Sequence, residues 1–176
     1  MKIKINLYHV LISLVIFVVF VATILPNEAA AGLANGLTES IDTSFSYTPT
    51  RLYEIISGYT YEVRMLYIYQ RFTFDFIWPL VYGAFIILTS WYLIEKTNLK
   101  YKKLRLLPII AVGFDLLENI LVSLLMYSYP YQSYFLAIIA SSFTTLKWLT
   151  LSLSFIIIMI LFINNLSKTI FRKLRQ

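Results

Sequence analysis

The chain has 176 residues, of which 59% are hydrophobic and 14% charged, and its formal charge is +6. A composition this apolar is typical of an integral membrane protein rather than of a soluble domain. Cysteine is absent and His9 is the single histidine, which excludes disulfides, thiolate chemistry and a zinc cluster. We therefore expect no metal and no cofactor.

Four apolar runs are long enough to cross a bilayer, at 7–25, 74–94, 106–126 and 134–163. Each reaches the roughly 17 to 25 residues that a spanning helix needs. The last run is longer, which indicates a tilted helix or an end outside the bilayer. The sequence thus predicts an all-α integral membrane protein, one membrane domain over 1–176, with four transmembrane helices in a bundle. Its expected partners are the lipid bilayer, further copies of the chain or other membrane subunits.

The charges at the ends of these runs predict the orientation of the chain. If the four helices alternate in direction, eleven basic residues lie on one side: Lys2, Lys4, Lys96, Lys100, Lys102, Lys103, Arg105, Lys168, Arg172, Lys173 and Arg175. The opposite side carries Arg51, Arg64 and Arg71 together with the acids Glu28, Glu39, Asp42, Glu54 and Glu62. By the positive-inside rule both termini are cytoplasmic, and we expect the plasma membrane. Because this rule accounts for the basic residues, no nucleic-acid partner is expected.

The first run has an alternative interpretation as a secretory signal. Lys2 and Lys4 precede an apolar core, and the small residues at 29–32 resemble a cleavage site. The apolar stretch is longer than the roughly 7 to 15 residues of a signal core, which favours a retained helix. Cleavage would leave three helices and move the amino terminus outside.

Residues 26–73 form the predicted exoplasmic loop and cap. Thr48 and Pro49 are typical of a helix start and Gly58 of a helix end, which predicts a short helix at about 49–57. Its apolar residues share one face, so we expect a short outer helix resting in the membrane interface, with its tyrosines shielded by lipid. The residues of that face are Leu52, Ile55, Ile56 and Tyr59.

A helical pattern resumes near Tyr61 and predicts one unbroken helix into the second span. Along it runs an outer polar stripe, which consists of Arg64, Arg71, Asp75 and Trp78 and continues to Tyr82. Arg71 and Asp75 are four residues apart and can form an ion pair. Pro79 is expected to kink the helix and to free a backbone carbonyl near Asp75.

Charged side chains also occur inside the apolar runs. Asp115, Glu118 and Asn119 lie in the middle of the third run and Lys147 lies in the fourth. Counted inward from the ends that join the two helices, Asp115 is twelve residues deep and Lys147 thirteen, so both lie roughly 18 to 20 Å down and can face each other. Small and hydroxylated residues share the face of Lys147 and permit close helix packing. They are Ala140, Thr144, Thr150 and Ser154.

This polar cluster has one carboxylate more than it has cations, which predicts a proton, a cation or a small polar ligand as its occupant. The candidate site residues are Asp115, Glu118, Asn119, Lys147 and Tyr82. Transport is one use of such a site. The alternatives are a non-catalytic accessory or assembly subunit, in which the cluster is structural, and an intramembrane enzyme with acid–base carboxylates. The sequence contains no nucleophile or metal motif, which argues against the enzyme.

Overall fold

The computed structural model describes residues 5–39, 41–97 and 102–174, with side chains at all of these positions except 42, 169 and 171–174. The chain is 87% helical and has no strand in this described part, which confirms the all-α class. Seven of the charged residues on which the predicted orientation depends lie outside the described residues or have no described side chain. They are Lys2, Lys4, Asp42, Lys100, Arg172, Lys173 and Arg175.

Seven α-helices follow one another along the described residues. They are α1 (Leu7–Val19), α2 (Leu25–Ala34), α3 (Pro49–Gly58), α4 (Tyr61–Phe72), α5 (Phe74–Thr97), α6 (Leu107–Ser128) and α7 (Tyr134–Leu174). A π-helical turn at Phe20–Ile24 joins α1 to α2, and 3-10 turns occupy Ile41–Thr43 and Lys102–Leu106. In this described part, four helical stretches are long and apolar enough to cross a membrane: Leu7–Ala34, Tyr61–Thr97, Lys102–Ser128 and Tyr134–Lys168.

The first stretch is longer than the predicted run at 7–25 because the helix passes Pro26 without ending. Asn6 starts α1 through a capping box, in which its side chain accepts from the backbone N–H of His9 and the ring of His9 faces the backbone N–H of Asn6. The π-helical turn widens the helix just before Pro26, which stands in the first turn of α2. Proline removes one backbone hydrogen bond from a continuous helix, and the π-helical turn lies where the chain accommodates this interruption.

The short helix α3 begins and ends as its sequence indicates, but its apolar face lies against protein. Thr48 accepts from the backbone N–H of Arg51 at 3.1 Å and caps the helix. Leu52 and Ile56 are fully buried in a core that includes Leu125 of α6. The prediction that lipid shields this face therefore needs correction, because α6 and α7 already cover it.

Two tyrosines of this cap are also held by protein. Tyr53 is 4% exposed, and its hydroxyl accepts from the backbone N–H of Ser133 at 2.6 Å. Burial raises the pKa of the Tyr53 hydroxyl, so it stays neutral near pH 7. Tyr59 donates to the carbonyl of Glu39 at 2.7 Å, which ties the loop before α3 to the end of that helix.

The helix predicted to run unbroken from Tyr61 into the second span continues to Thr97 but is interrupted at one residue, Thr73, which leaves the helical conformation (φ −113°, ψ −86°). The hydroxyl of Thr73 donates to the carbonyl of Tyr69 at 2.8 Å. A threonine hydroxyl that bonds the preceding turn competes with the backbone ladder, and hydrophobic periodicity does not reveal this competition. The break separates α4, which packs against α6, from α5.

Helices α6 and α7 form the most extensively packed pair, and α5 packs against both. Helix α1 packs mainly on α5, where Phe17 and Phe20 stack on Trp78 with ring centroids 5.8 and 5.6 Å away. The polar residues of α5, α6 and α7 therefore meet at the centre of the packed helices.

Gly83 marks a close approach of α5 to α6. A Cβ atom added at Gly83 would lie 2.5 Å from Cγ2 of Val112. We expect Gly83→Ala to lower the free energy of unfolding by about 1 to 3 kcal/mol, because overpacking forces neighbours to move. Unfolding in mixed micelles measures this change.

The matched control for that substitution is Gly113→Ala, since nothing lies within 4 Å of a Cβ at Gly113. Val112→Ala in the Gly83→Ala background should recover part of the lost stability. A Gly83→Ala protein as stable as the parent would mean that α5 and α6 do not approach this closely.

Candidate functional site: a buried ion cluster between helices

Lys147 of α7 lies between two carboxylates of α6. Its Nζ atom is 2.7 Å from Oε2 of Glu118 and 3.3 Å from Oδ1 of Asp115. The side chains are 4%, 1% and 9% exposed for Lys147, Glu118 and Asp115, respectively. Asp115 and Glu118 are three residues apart, so both project from one side of α6. The structure thus brings together Asp115 and Lys147, which the sequence placed at one depth, and it puts Glu118 nearer than Asp115 to the lysine.

Two hydroxyl groups also contact the carboxylates. Tyr82 of α5 donates to Oδ2 of Asp115 at 2.6 Å. The hydroxyl of Thr144, one turn before Lys147, lies 2.6 Å from Oε1 of Glu118 and 3.1 Å from the carbonyl of Ala140. Each of the four carboxylate oxygens therefore has a polar protein neighbour. The sequence indicated the helix face of Thr144 but not its partner Glu118.

Asn119 belongs to a second group of contacts, which reaches α4 and the start of α5. Its Oδ1 atom accepts from Arg71 at 3.3 Å, and its Nδ2 atom donates to the carbonyl of Asp75 at 2.9 Å. Arg71 also pairs with the carboxylate of Asp75 at 3.1 Å. The Arg71 side chain is 5% exposed, so the ion pair that the sequence predicted forms and is largely buried.

Pro79 accounts for the role of Asn119. In a regular helix the N–H of residue 79 would bond the carbonyl of Asp75, but proline has no N–H. The carbonyl freed in this way is the one that Nδ2 of Asn119 reaches from α6. A buried carbonyl without a partner is unfavourable, so Asn119 offsets the cost of the proline.

The remaining residues of the predicted stripe lie apart from the charged cluster. Arg64 donates to the carbonyl of Tyr59 at 2.7 Å, and its guanidinium lies 4.9 Å from the ring centroid of Tyr129. Trp78 belongs to the aromatic stack on α1 and meets the ring of Tyr82 edge-on, with centroids 5.4 Å apart. The residues of the predicted stripe therefore have separate roles. Arg64 contacts the end of α3, Arg71 pairs with Asp75, and Trp78 belongs to the aromatic stack.

A cavity of about 340 Å³, which we call the side cavity, lies beside α2, α4 and α5. Arg71 and Asp75 form part of its wall, so it reaches the buried polar contacts of Asn119. Glu28 and Glu39 also line it. The sequence did not predict this cavity, because its wall combines α2 and the following loop with parts of α4 and α5 that are distant in the chain.

The residues that the structure describes combine four potential membrane-spanning helices with a buried Lys–Asp–Glu cluster, which is compatible with a membrane protein. Among them, no group of three or more His, Cys, Asp and Glu side chains is arranged to hold a metal ion. Comparisons with protein-family models, with curated proteins and with solved structures find no match to this chain.

Proposed function

We propose that the chain is a multi-pass membrane protein with four transmembrane helices in a bundle, and that the cluster of Asp115, Glu118 and Lys147 binds and releases a proton. Fully ionised, these three side chains carry two negative charges and one positive charge. A net charge in a bilayer interior is unfavourable, and one bound proton neutralises it. The charge balance therefore supports a proton as the occupant.

The position of the Thr144 hydroxyl carries this proposal. A hydroxyl has one hydrogen to donate and can also accept. When Glu118 is ionised, Thr144 donates to its carboxylate at 2.6 Å. When Glu118 holds a proton, the carboxyl group donates to Thr144, and Thr144 turns its hydrogen to the carbonyl of Ala140 at 3.1 Å. Both protonation states thus keep the hydrogen bond between Glu118 and Thr144 without movement of the helices.

A proton fits the cluster better than a metal cation or a small polar ligand does. Such an occupant would have to displace Lys147 or a hydroxyl donor, because each oxygen of Asp115 and Glu118 already has a polar neighbour within 3.3 Å. Acid–base catalysis would need a substrate cavity at these carboxylates, and the wall of the side cavity contains Asp75 but neither of them.

The alternative function is that of an accessory or assembly subunit with a structural cluster. The same contacts favour it, since Lys147 joins α7 to two positions of α6 and polar groups often fasten helices together. In that case Glu118 keeps one protonation state throughout the pH range in which the protein is folded. The two functions therefore differ in whether Glu118 exchanges a proton.

Infrared difference spectroscopy of the protein in lipid tests this proposal. We expect a band of a protonated carboxyl group that appears and disappears across the pH range in which side chains titrate. The band should be absent in Glu118→Gln, shifted in Thr144→Val and unchanged in Glu62→Gln, an acid on α4 outside the cluster. No titrating band sensitive to Glu118→Gln would support the structural alternative.

We also propose that both termini face the cytoplasm, with α3 and its neighbouring loops as a cap on the outer side of the plasma membrane. The distribution of the basic residues supports this orientation. A reporter active only in the cytoplasm should work when fused after Gln176 or within 98–101, and should be silent after Ser44. Activity after Ser44 would reverse the orientation.

A further inference from the structure

The side cavity has the size and lining of a ligand site. Its volume of about 340 Å³ lies within the range of roughly 300 to 1,000 Å³ found for small-molecule pockets. Much of the wall is apolar, with side chains from α2, the following loop and the start of α5. These apolar residues are Leu25, Leu33, Leu37, Phe74 and Trp78.

The charged part of the wall is mainly acidic. It contains the carboxylates of Glu28, Glu39 and Asp75 and one guanidinium, that of Arg71. Asp75 pairs with Arg71 at 3.1 Å, and Glu39 pairs with Arg51 at 2.7 Å. Glu28 is half-buried and has no ion pair with another residue that the structure describes. The wall is therefore suited to a positively charged ligand. Glu28 is the carboxylate of the wall that such a ligand can pair with.

We propose that the side cavity binds a small organic cation, an amine with an apolar body. The apolar residues of α2 and α5 would cover its body, and its ammonium group would face Glu28. This inference does not depend on proton binding by Glu118, because Glu118 is not part of the wall. A free amine and the amine headgroup of a lipid share this chemistry, and we assign the cavity to the free amine.

Calorimetric titration of the protein in dodecyl maltoside, which has no charge and no amine, tests this assignment. Benzylamine is a suitable probe, and benzyl alcohol is its neutral counterpart. We expect saturable binding of benzylamine at pH 7 that is at least about tenfold tighter than that of benzyl alcohol, as the acidic wall requires. Equal affinity for the two compounds would overturn the proposal.

Two pairs of variants locate the binding. Glu28→Gln should weaken benzylamine about fivefold, whereas Glu62→Gln removes a negative charge of α4 outside the wall and should have no effect. Gly32 also lines the cavity, and a Cβ there makes ordinary contacts with Leu37 at 3.5 Å and Gln70 at 3.7 Å. Gly32→Ala should therefore fold and bind, while the larger Gly32→Leu should fill the space and abolish binding. Unchanged binding in Glu28→Gln and Gly32→Leu would place the amine elsewhere.

A competition experiment distinguishes a free amine from the ammonium headgroup of a lipid. Short-chain phosphatidylcholine and phosphatidylglycerol differ in headgroup, and only the former carries an ammonium. Similar, weak competition by both lipids is expected for a cavity that takes a free amine. Displacement of benzylamine by phosphatidylcholine alone, at a lower concentration than benzylamine itself requires, would assign the cavity to a lipid headgroup and overturn the proposal.

Discussion

Replacing Lys147 with methionine is expected to lower the free energy of unfolding by about 3 to 5 kcal/mol, the usual cost of removing one partner of a buried ion pair. The methionine leaves Asp115 and Glu118 close together without their shared cation. Proton uptake by one of them would reduce the loss. Unfolding in mixed micelles, compared across pH, measures both effects.

Double-mutant cycles show which carboxylate is coupled to Lys147. Because Nζ of Lys147 lies 2.7 Å from Glu118 and 3.3 Å from Asp115, we expect Glu118→Gln to offset more of the loss than Asp115→Asn does. Lys168→Met is the control, as an exposed lysine of the same helix, and should cost less than about 0.5 kcal/mol. Additivity within about 0.5 kcal/mol in both cycles would contradict the contact of α6 with α7 at these residues.

The second large effect is expected for Asn119→Leu. This change leaves the carbonyl of Asp75 without a donor and removes a neighbour of the buried Arg71. A buried polar group that loses its partner costs about 1 to 3 kcal/mol, and more when it is charged. The free energy of unfolding should fall by at least this amount in the same micelle assay.

Pro79→Ala provides a specific control for this explanation, because alanine restores the N–H that can bond the carbonyl of Asp75. The two substitutions should be coupled by about 1 kcal/mol, so that Asn119→Leu is milder when residue 79 is alanine. If the cost of Asn119→Leu is the same with proline or alanine at position 79, the role of Asn119 lies in its contact with Arg71 alone.

The sequence predicted those features that follow from helix geometry. Asp115 and Lys147 were paired by counting residues inward from the short turn between their helices, and a straight helix preserves such a count. Pro79 was expected to free a carbonyl near Asp75, since proline lacks an N–H in every context. The helical class followed from the length of the apolar runs.

Other features depend on contacts between distant segments, which no local pattern records. The apolar face of α3 fits a membrane interface and a protein core equally well, and only the positions of α6 and α7 show that protein covers it. Asn119 lies in the same run as Asp115 and at a similar depth, which predicts that it belongs to the charged cluster. Only the positions of α4 and α5 show that its amide contacts Arg71 and the carbonyl of Asp75 instead.

The side cavity and the ion cluster lie on helices that are buried to different degrees. Within α2 only Gly32 is buried, whereas the buried residues of α6 include Asp115, Glu118 and Asn119. Segments with few buried contacts open at the lowest free-energy cost. The wall that α2 gives to the side cavity thus comes from a helix with few buried side chains, while Lys147 and Glu118 join the most extensively packed pair. A ligand that exchanges by displacement of α2 would enter and leave without opening the ion cluster to water.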